Sequence, residues 1–242
     1  VFVNGYLVGR NDNGYAPFAF DISDYLNYGG RNYLMVRVDA SFGDGWFYEG
    51  AGLYRHVWLS KTDRLHLADW ESTVRSDAGD GSATLKLATV VRNDGREARN
   101  CQVRWRILDP AGAVVAHAET SAQNLAANGS ADFAAVAALP QPQLWSPETP
   151  ALYTALVTLE SNGETRDSER VTFGVRSIRF DADKGFFLNG KPVKIKGTCN
   201  HHDHAGVGAA VPDALQYYRV GVLKQMESSA VRTSHNMPTP EW

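Results

Sequence analysis

Apolar and polar residues alternate along much of the chain, and the alternating stretches are short. "NYLMVRVDA" (32–40) sets Leu34, Val36 and Val38 against Met35 and Arg37, the two-residue period of a half-buried strand. "YRHVWLSK" (54–61) predicts another strand. "VFVNGYLVGR" places apolar runs on both sides of Asn4–Gly5, a pair suited to a type I′ hairpin turn. From 65 to 178 further strands are predicted at 83–91, 102–109, 114–120, 131–139, 152–160 and 170–180. Turn signals separate them at Asn93–Asp94–Gly95, Asp109–Pro110, Asn128–Gly129 and Asn162–Gly163. Six or seven short strands, on the order of 110 residues in all, fit two sheets packed as an immunoglobulin-like sandwich.

Beyond residue 179 the period changes. "GFFLNGKPVKIKG" (185–197) holds an Asn189–Gly190 turn and then the apolar strand "VKIKG", followed by the polar loop "TCNHHDHAGVGAAV". Pro212 and Asp213 open a helix, with Asp213 read as its N-cap. Leu215, Tyr218, Val222 and Met226 then recur at helical spacing. "AVRTSHN" (230–236) is the next strand. Strand, loop, helix and strand make a βα unit plus one strand, the beginning of a parallel sheet that needs more neighbours. The chain is therefore mainly β, in three domains at 1–64, 65–178 and 179–242. The last has apolar faces without cover and is expected to be poorly ordered or self-associating.

Composition excludes more than it assigns. The 242 residues are 43% apolar and 21% charged, as in ordinary globular proteins. A net charge of -3 offers no basic field for nucleic acid or anionic lipid. No apolar run approaches the roughly 18–20 residues of a membrane span. The first residues do not read as a signal peptide, and the absence of a starting Met reads as a fragment, so the compartment is left unassigned. Cys101 and Cys199 fall in different expected domains and form neither a disulfide framework nor a CxxC metal site.

The candidate chemistry lies in "NHHDH" (200–204) and in "RTSHN" (232–236). Adjacent strands run about 4.8 Å apart. His201, leaving the first strand, and His235, ending the second, can therefore converge on one small molecule. In α/β barrels that end of the strands is where ligands bind. His202 and His204 can equally cap loop backbone or pack, because neighbours in extended chain point opposite ways. A metal needs three or four ligands converging at about 2.0–2.3 Å. Consecutive HHDH residues cannot all face one point, and no HExxH or paired HxH spacing is present. Neutral imidazoles and the Asp203 carboxylate suit sugar hydroxyls at least as well. Asp44 and Glu49 flank an aromatic loop whose Trp46, Phe47 and Tyr48 either pack beneath it or offer a face to a ligand. Glu164, Asp167 and Glu169 read as a solvated hairpin, and Glu241 has no clear partner. No carboxylate pair is placed as general acid and nucleophile.

Five ordered segments carry a resemblance: "VFVNGYLVGRNDNGYAPFAFDISDYL", "GWFYEGAGLYRHVWL", "QLWSPETPALYT", "GFFLNGKPVKIKG" and "AVRTSHNMPTPEW". From residue 1 to residue 242 the chain resembles glycoside hydrolase family 2, which includes β-galactosidases, β-glucuronidases and β-mannosidases. The resemblance implies the C-terminal part of a jelly-roll sugar-binding-type domain and an immunoglobulin-like sandwich. It then implies the first two strands of a (β/α)8 barrel, with "FLNG" leading into it. His201 falls on the family's substrate-contacting histidine, within "KGTCNHH" where the family more often reads KGVNxH; the Cys199–Asn200 pair departs from that pattern. His235 matches a second sugar-contacting histidine, Arg232 an arginine that orients the nucleophile, and Asp44 a loop acid that reaches the sugar in some members.

Members are retaining enzymes with two glutamates about 5–5.5 Å apart. The family carries both on later barrel strands, so no catalytic residue is assigned in this chain, which alone is expected to be inactive. The implied partner is a carbohydrate substrate, most readily a β-galactoside; neither nucleic acid nor membrane is expected, and a homo-oligomer is compatible. No cofactor is identifiable and no metal ligands are assigned, although some β-galactosidases of the family use a divalent cation. A non-catalytic carbohydrate-binding module built on the aromatic loop, or a purely structural sandwich, are the competing readings.

Overall fold

The computed structural model describes residues 1–41, 52–79 and 81–242. Asp44, Trp46, Phe47, Tyr48 and Glu49 lie outside the described residues. The chain is mainly β and divides into two compact units, one made of Val1–Trp58 with Ile195–Trp242, the other of Leu59–Lys194.

The first unit begins with strands β1 (Phe2–Val3) and β2 (Tyr6–Leu7), joined through Asn4 and Gly5 at φ 51° and 88°. Both φ values are positive, as a type I′ turn demands, so the Asn-Gly signal is realised. The Asn4 amide holds the turn against later chain: Nδ2 donates to the Tyr25 carbonyl at 2.7 Å, and Oδ1 accepts from the Tyr33 N–H at 2.9 Å. The long strand expected at 32–40 is reduced to β3 (Leu34–Met35), which pairs with β1. The segment 54–61 forms no strand. Alternation alone does not make a strand; a ladder needs a neighbour. Here Leu34, Met35, Val57 and Trp58 remain more than half exposed.

The second unit contains nine strands of a two-sheet sandwich: β4 (Leu65–Leu67), β5 (Thr73–Gly79), β6 (Ser82–Asn93), β7 (Arg99–Leu108), β8 (Val114–Glu119), β9 (Gln123–Leu125), β10 (Gly129–Pro140), β11 (Tyr153–Ser161) and β12 (Glu164–Phe173). One sheet runs β10-β6-β4 with β5 also on β6; the other runs β12-β11-β7-β8 with β9 also on β7. All pairings are antiparallel. The strand expected at 170–180 is broken after Phe173, because β12 ends its ladder with β11 there. The expected hairpin at 164–169 is present: β12 pairs back on β11 through Asn162–Gly163, with Glu164 exposed and Asp167 and Glu169 half-buried. Within it Asp167 accepts the Leu67 N–H at 2.9 Å, and Arg166 pairs with Glu164 at 2.8 Å.

Strict alternation builds the core. In β11, Tyr153, Ala155, Val157, Leu159 and Ser161 all point inward; in β6, Ala83, Leu85, Leu87, Thr89, Val91 and Asn93 do. The apolar ones meet Val103, Trp105, Ile107 and Phe133 in one buried cluster. The buried Asn93 amide is fully satisfied, donating to the carbonyls of Glu97, Leu125 and Ala126 and accepting from the Gly95 N–H. A buried amide is tolerated only with such partners.

Asp63 begins the sandwich. Its carboxylate accepts the Leu65 N–H at 3.0 Å and faces Arg99 and Arg166 at 3.2 and 3.7 Å. The backbone hydrogen bond, and then the two arginines, hold its pKa below the ordinary carboxylate value. A depressed folded pKa contributes stability above the unfolded value of about 3.9, lost as pH falls through the folded pKa. The urea midpoint of Asp63→Asn should therefore lie below wild type at pH 7, and the gap should narrow toward pH 3. A gap that stays constant with pH would contradict the assignment.

The same unit ends in a small sheet of β13 (Ile178–Asp181), β14 (Gly185–Leu188) and β15 (Lys191–Pro192). Asn189, at φ 51°, ties it to the preceding chain: its amide donates to the Trp145 carbonyl at 3.0 Å and accepts the Ser177 N–H at 3.0 Å. The first unit then resumes with β16 (Gly197–His201), helix α1 (Asp213–Gln225) and β17 (Ala230–Ser234). The strands β16 and β17 are parallel, in register from Gly197↔Ala230 to His201↔Ser234. The first strand therefore starts at Gly197, not at Val193, because its ladder partner begins at Ala230. A Cβ at Gly197 would stand 2.8 Å from the Ala230 carbonyl oxygen, so the close approach requires glycine.

Pro212, not Asp213, is the N-cap of α1, and no side chain caps the helix; Asp213 is its first helical residue. Gln216 is the one buried residue of the helix. Tyr218 and Met226, expected on the apolar stripe, are 62% and 63% exposed. A two-stranded parallel sheet leaves such a helix little to pack against.

Candidate sugar-binding site

Parallel pairing puts His201 at the last position of β16 and His235 one residue past the end of β17. The two imidazole rings meet edge to face, with centroids 5.3 Å apart and planes at 70°. The Ser234–His235 peptide is cis. His201 is therefore a strand residue and not, as expected, part of the loop. It is half-buried, while His235 is exposed. From α1, Arg219 donates to the His201 carbonyl, and its guanidinium lies 4.8 Å from the Trp242 ring centroid. The helix thereby fixes the strand end that presents the imidazole. Asn200, His201, Gln216, Arg219, Thr233 and Ser234 line a small cleft beside it.

Arg232 sits two residues before Ser234 and so on the same face of β17. It lies across from its register partner Cys199, with Nη1 3.3 Å from Ser234 Oγ and 3.9 Å from Cys199 Sγ. The structure thus brings His201 and His235 together at one end of the two strands, with Arg232 at the middle of β17 opposite Cys199. Asp44, expected nearby, is outside the described residues.

Of the other histidines in the cluster, His202 lines the same cleft and His204 does not. His202 packs edge-on against Tyr15, 4.8 Å between centroids. Burial first, and then the positive charge of Arg55, push its pKa below the ordinary imidazole value, so it is neutral near pH 7. His204 is used by its own loop: Nδ1 lies 3.0 Å from the Ala205 carbonyl oxygen, and its backbone bridges to Gly208. HHDH therefore sets His201 against His235, places His202 in the same cleft against Tyr15, and spends His204 on its own loop.

Arg55 was not singled out from the sequence, yet it organises this unit. It donates to the Tyr15 carbonyl at 2.6 Å and to the carbonyl of Met237, 182 positions further along the chain, at 2.7 Å. The only available signal was a cation inside an apolar stretch, "LYRHVWL". Glu241, expected to lack a partner, lies 3.7 Å from His56.

Chemically, the paired imidazoles can donate to and accept from neighbouring hydroxyls, and Arg232 and Arg219 add fixed positive charge. Such an array has the chemistry to hold and orient a polyhydroxylated ligand.

Comparison with known proteins places this geometry in a family. The model of glycosyl hydrolases family 2 matches residues 65–176, and that of the family's TIM barrel domain matches residues 181–242. A β-galactosidase of Bacteroides ovatus is 38% identical over 243 residues, covering all of this chain and 28% of its own length. The solved structure of a family 2 member from Bacteroides cellulosilyticus superposes with a TM-score of 0.94 at 32% identity, over 99% of this chain and 33% of that one. A β-glucuronidase of Bacteroides uniformis superposes at 0.90 with 30% identity, over 99% of this chain and 30% of its own. This chain thus spans about a third or less of the length of these relatives. With the family's own model matched over residues 65–176 and its TIM barrel domain matched next over residues 181–242, the chain belongs to glycosyl hydrolase family 2.

Proposed function

We propose that the protein carrying this chain is a retaining, exo-acting glycosidase of terminal β-glycosides, with β-galactosides as its preferred substrates. In this reading His201 and His235 hold hydroxyls of the terminal sugar, Asp44 reaches it from the aromatic loop, and Arg232 orients the nucleophile carboxylate. The chain's own share is binding and orientation. The two glutamates of the retaining mechanism belong to later barrel strands, as the family resemblance implies.

The observation that carries the reading is the edge-to-face pair of His201 and His235 at the C-terminal ends of adjacent parallel strands. That end of a barrel is where its ligands bind. Preference for galactose rests on the 38% identity to the Bacteroides ovatus β-galactosidase; β-glucuronidases among the relatives reach 31–32%.

Steady-state kinetics of the whole protein on matched aryl β-galactoside and aryl β-glucuronide tests the preference. We expect kcat/KM to favour the galactoside by at least about tenfold, the equivalent of roughly 1.4 kcal/mol in transition-state binding. Equal rates, or a preference for the glucuronide, would overturn the galactoside assignment and leave the glycosidase reading standing.

A further inference from the structure

We propose that His56, Asp213 and Glu241 form a binding site for a divalent transition-metal ion of the zinc class, separate from the His201–His235 pair. The three come from distant parts of the chain, in the extended segment after the aromatic loop, at the start of α1 and in the turn before Trp242. One ligand atom from each falls within 4.8 Å of the others. His56 Nε2 stands 3.2 Å from both carboxylate oxygens of Asp213 and 3.7 Å from Oε1 of Glu241.

Those separations suit a shared ion. Ligands about 2.0–2.1 Å from a tetrahedral zinc lie roughly 3.3–3.4 Å from one another. The two His56 distances need only a few tenths of an ångström of adjustment; the widest separation, up to 4.8 Å, needs more, which exposed side chains supply by rotation. One imidazole and two carboxylates make the mixed nitrogen and oxygen set that zinc, manganese and cobalt accept, whereas calcium and magnesium prefer oxygen alone. Two carboxylates also neutralise a dication. The positive end of α1, at Asp213, opposes a cation there but stabilises the ionised Asp213 that would bind it.

The His56 ring is steadied by Trp58, with centroids 5.4 Å apart. Asp213 and His56 keep about half of their side-chain surface, so an ion can enter from solvent and retain an open position for water. Its effect would be to clasp three chain segments of one compact unit.

Calorimetric titration of the chelator-stripped protein with Zn²⁺, and separately with Ca²⁺, tests the site. We expect one Zn²⁺ per chain in the micromolar range or tighter, at least tenfold tighter than Ca²⁺. His56→Ala should weaken that binding at least tenfold. So should Glu241→Gln, a near-isosteric change that guards against mere unfolding. His201→Ala should leave the site intact. A melting temperature raised by Zn²⁺ in the wild type but not in His56→Ala would agree. Zinc uptake that survives both His56→Ala and Glu241→Gln overturns the proposal. So does uptake lost only with His202→Ala, Ca²⁺ binding as tight as Zn²⁺, or no uptake at 50-fold excess of metal.

Discussion

Replacing Trp105 by alanine is expected to destabilise the sandwich by about 3–5 kcal/mol, the range for truncating a large buried aromatic. Trp105 is 1% exposed near the middle of β7, in register with Val157 of β11. It shares one closed cluster with Phe133, Leu85, Ile107 and Leu159. The indole lies between two sheets whose strands are all held by ladders, so the backbone has little freedom to collapse into the space. A loss of this size is a large part of the roughly 5–15 kcal/mol that stabilises a typical domain. The urea midpoint read from far-ultraviolet circular dichroism should fall steeply, with an unchanged slope. Trp105→Phe should recover part of the loss. An effect below about 1 kcal/mol would mean that Trp105 is not the centre of this core.

The second large effect concerns the site. In the whole protein, His201→Ala and His235→Ala are each expected to lower kcat/KM on a β-glycoside by about 10–100-fold. A hydrogen bond to a group that gains charge in the transition state is worth on the order of 1.5–3 kcal/mol, which gives that range. Because the two rings touch, the double variant should lose less than the product of the single losses. His201→Asn keeps a donor and an acceptor and should recover activity better than His201→Ala. The urea midpoint of the sandwich should not move, since both residues belong to the other compact unit. Variants that leave kcat/KM within twofold of wild type would remove His201 and His235 from substrate contact.

The sandwich was largely legible because its strands alternate strictly and each inward position is apolar. Its core strands β6, β7, β10 and β11 appear where the pattern placed them, and three of the Asn-Gly pairs take positive φ at both residues, at Asn4–Gly5, Asn162–Gly163 and Asn189–Gly190. The strand β5, "TVRSDAG", was missed because one face carries Thr, Arg, Asp and Gly and the other is only half-buried. It is a strand because β6 offers a ladder. The reverse failure occurred at 54–61, where the pattern is a strand's but no partner pairs with it among the described residues.

The site divides in the same way. His201 and His235 were legible because two parallel strands bring equivalent ends together at a known spacing. Arg232 was singled out only through the family resemblance; the residue pattern of the strand did not mark it. His56 with Asp213 was not legible: they are 157 residues apart, and nothing local in either segment requires the other. Arg219 was hidden for a similar reason. On α1 it reads as an ordinary exposed cation, and only the fold aims it at the His201 carbonyl.

The most direct test of the central claim is the stereochemistry of hydrolysis by the whole protein, followed by proton NMR on an aryl β-galactoside. The account predicts that the β-anomer of galactose appears first and then mutarotates, as a retaining enzyme with a covalent intermediate requires. The α-anomer appearing first, or no turnover of any aryl β-glycoside, would contradict it.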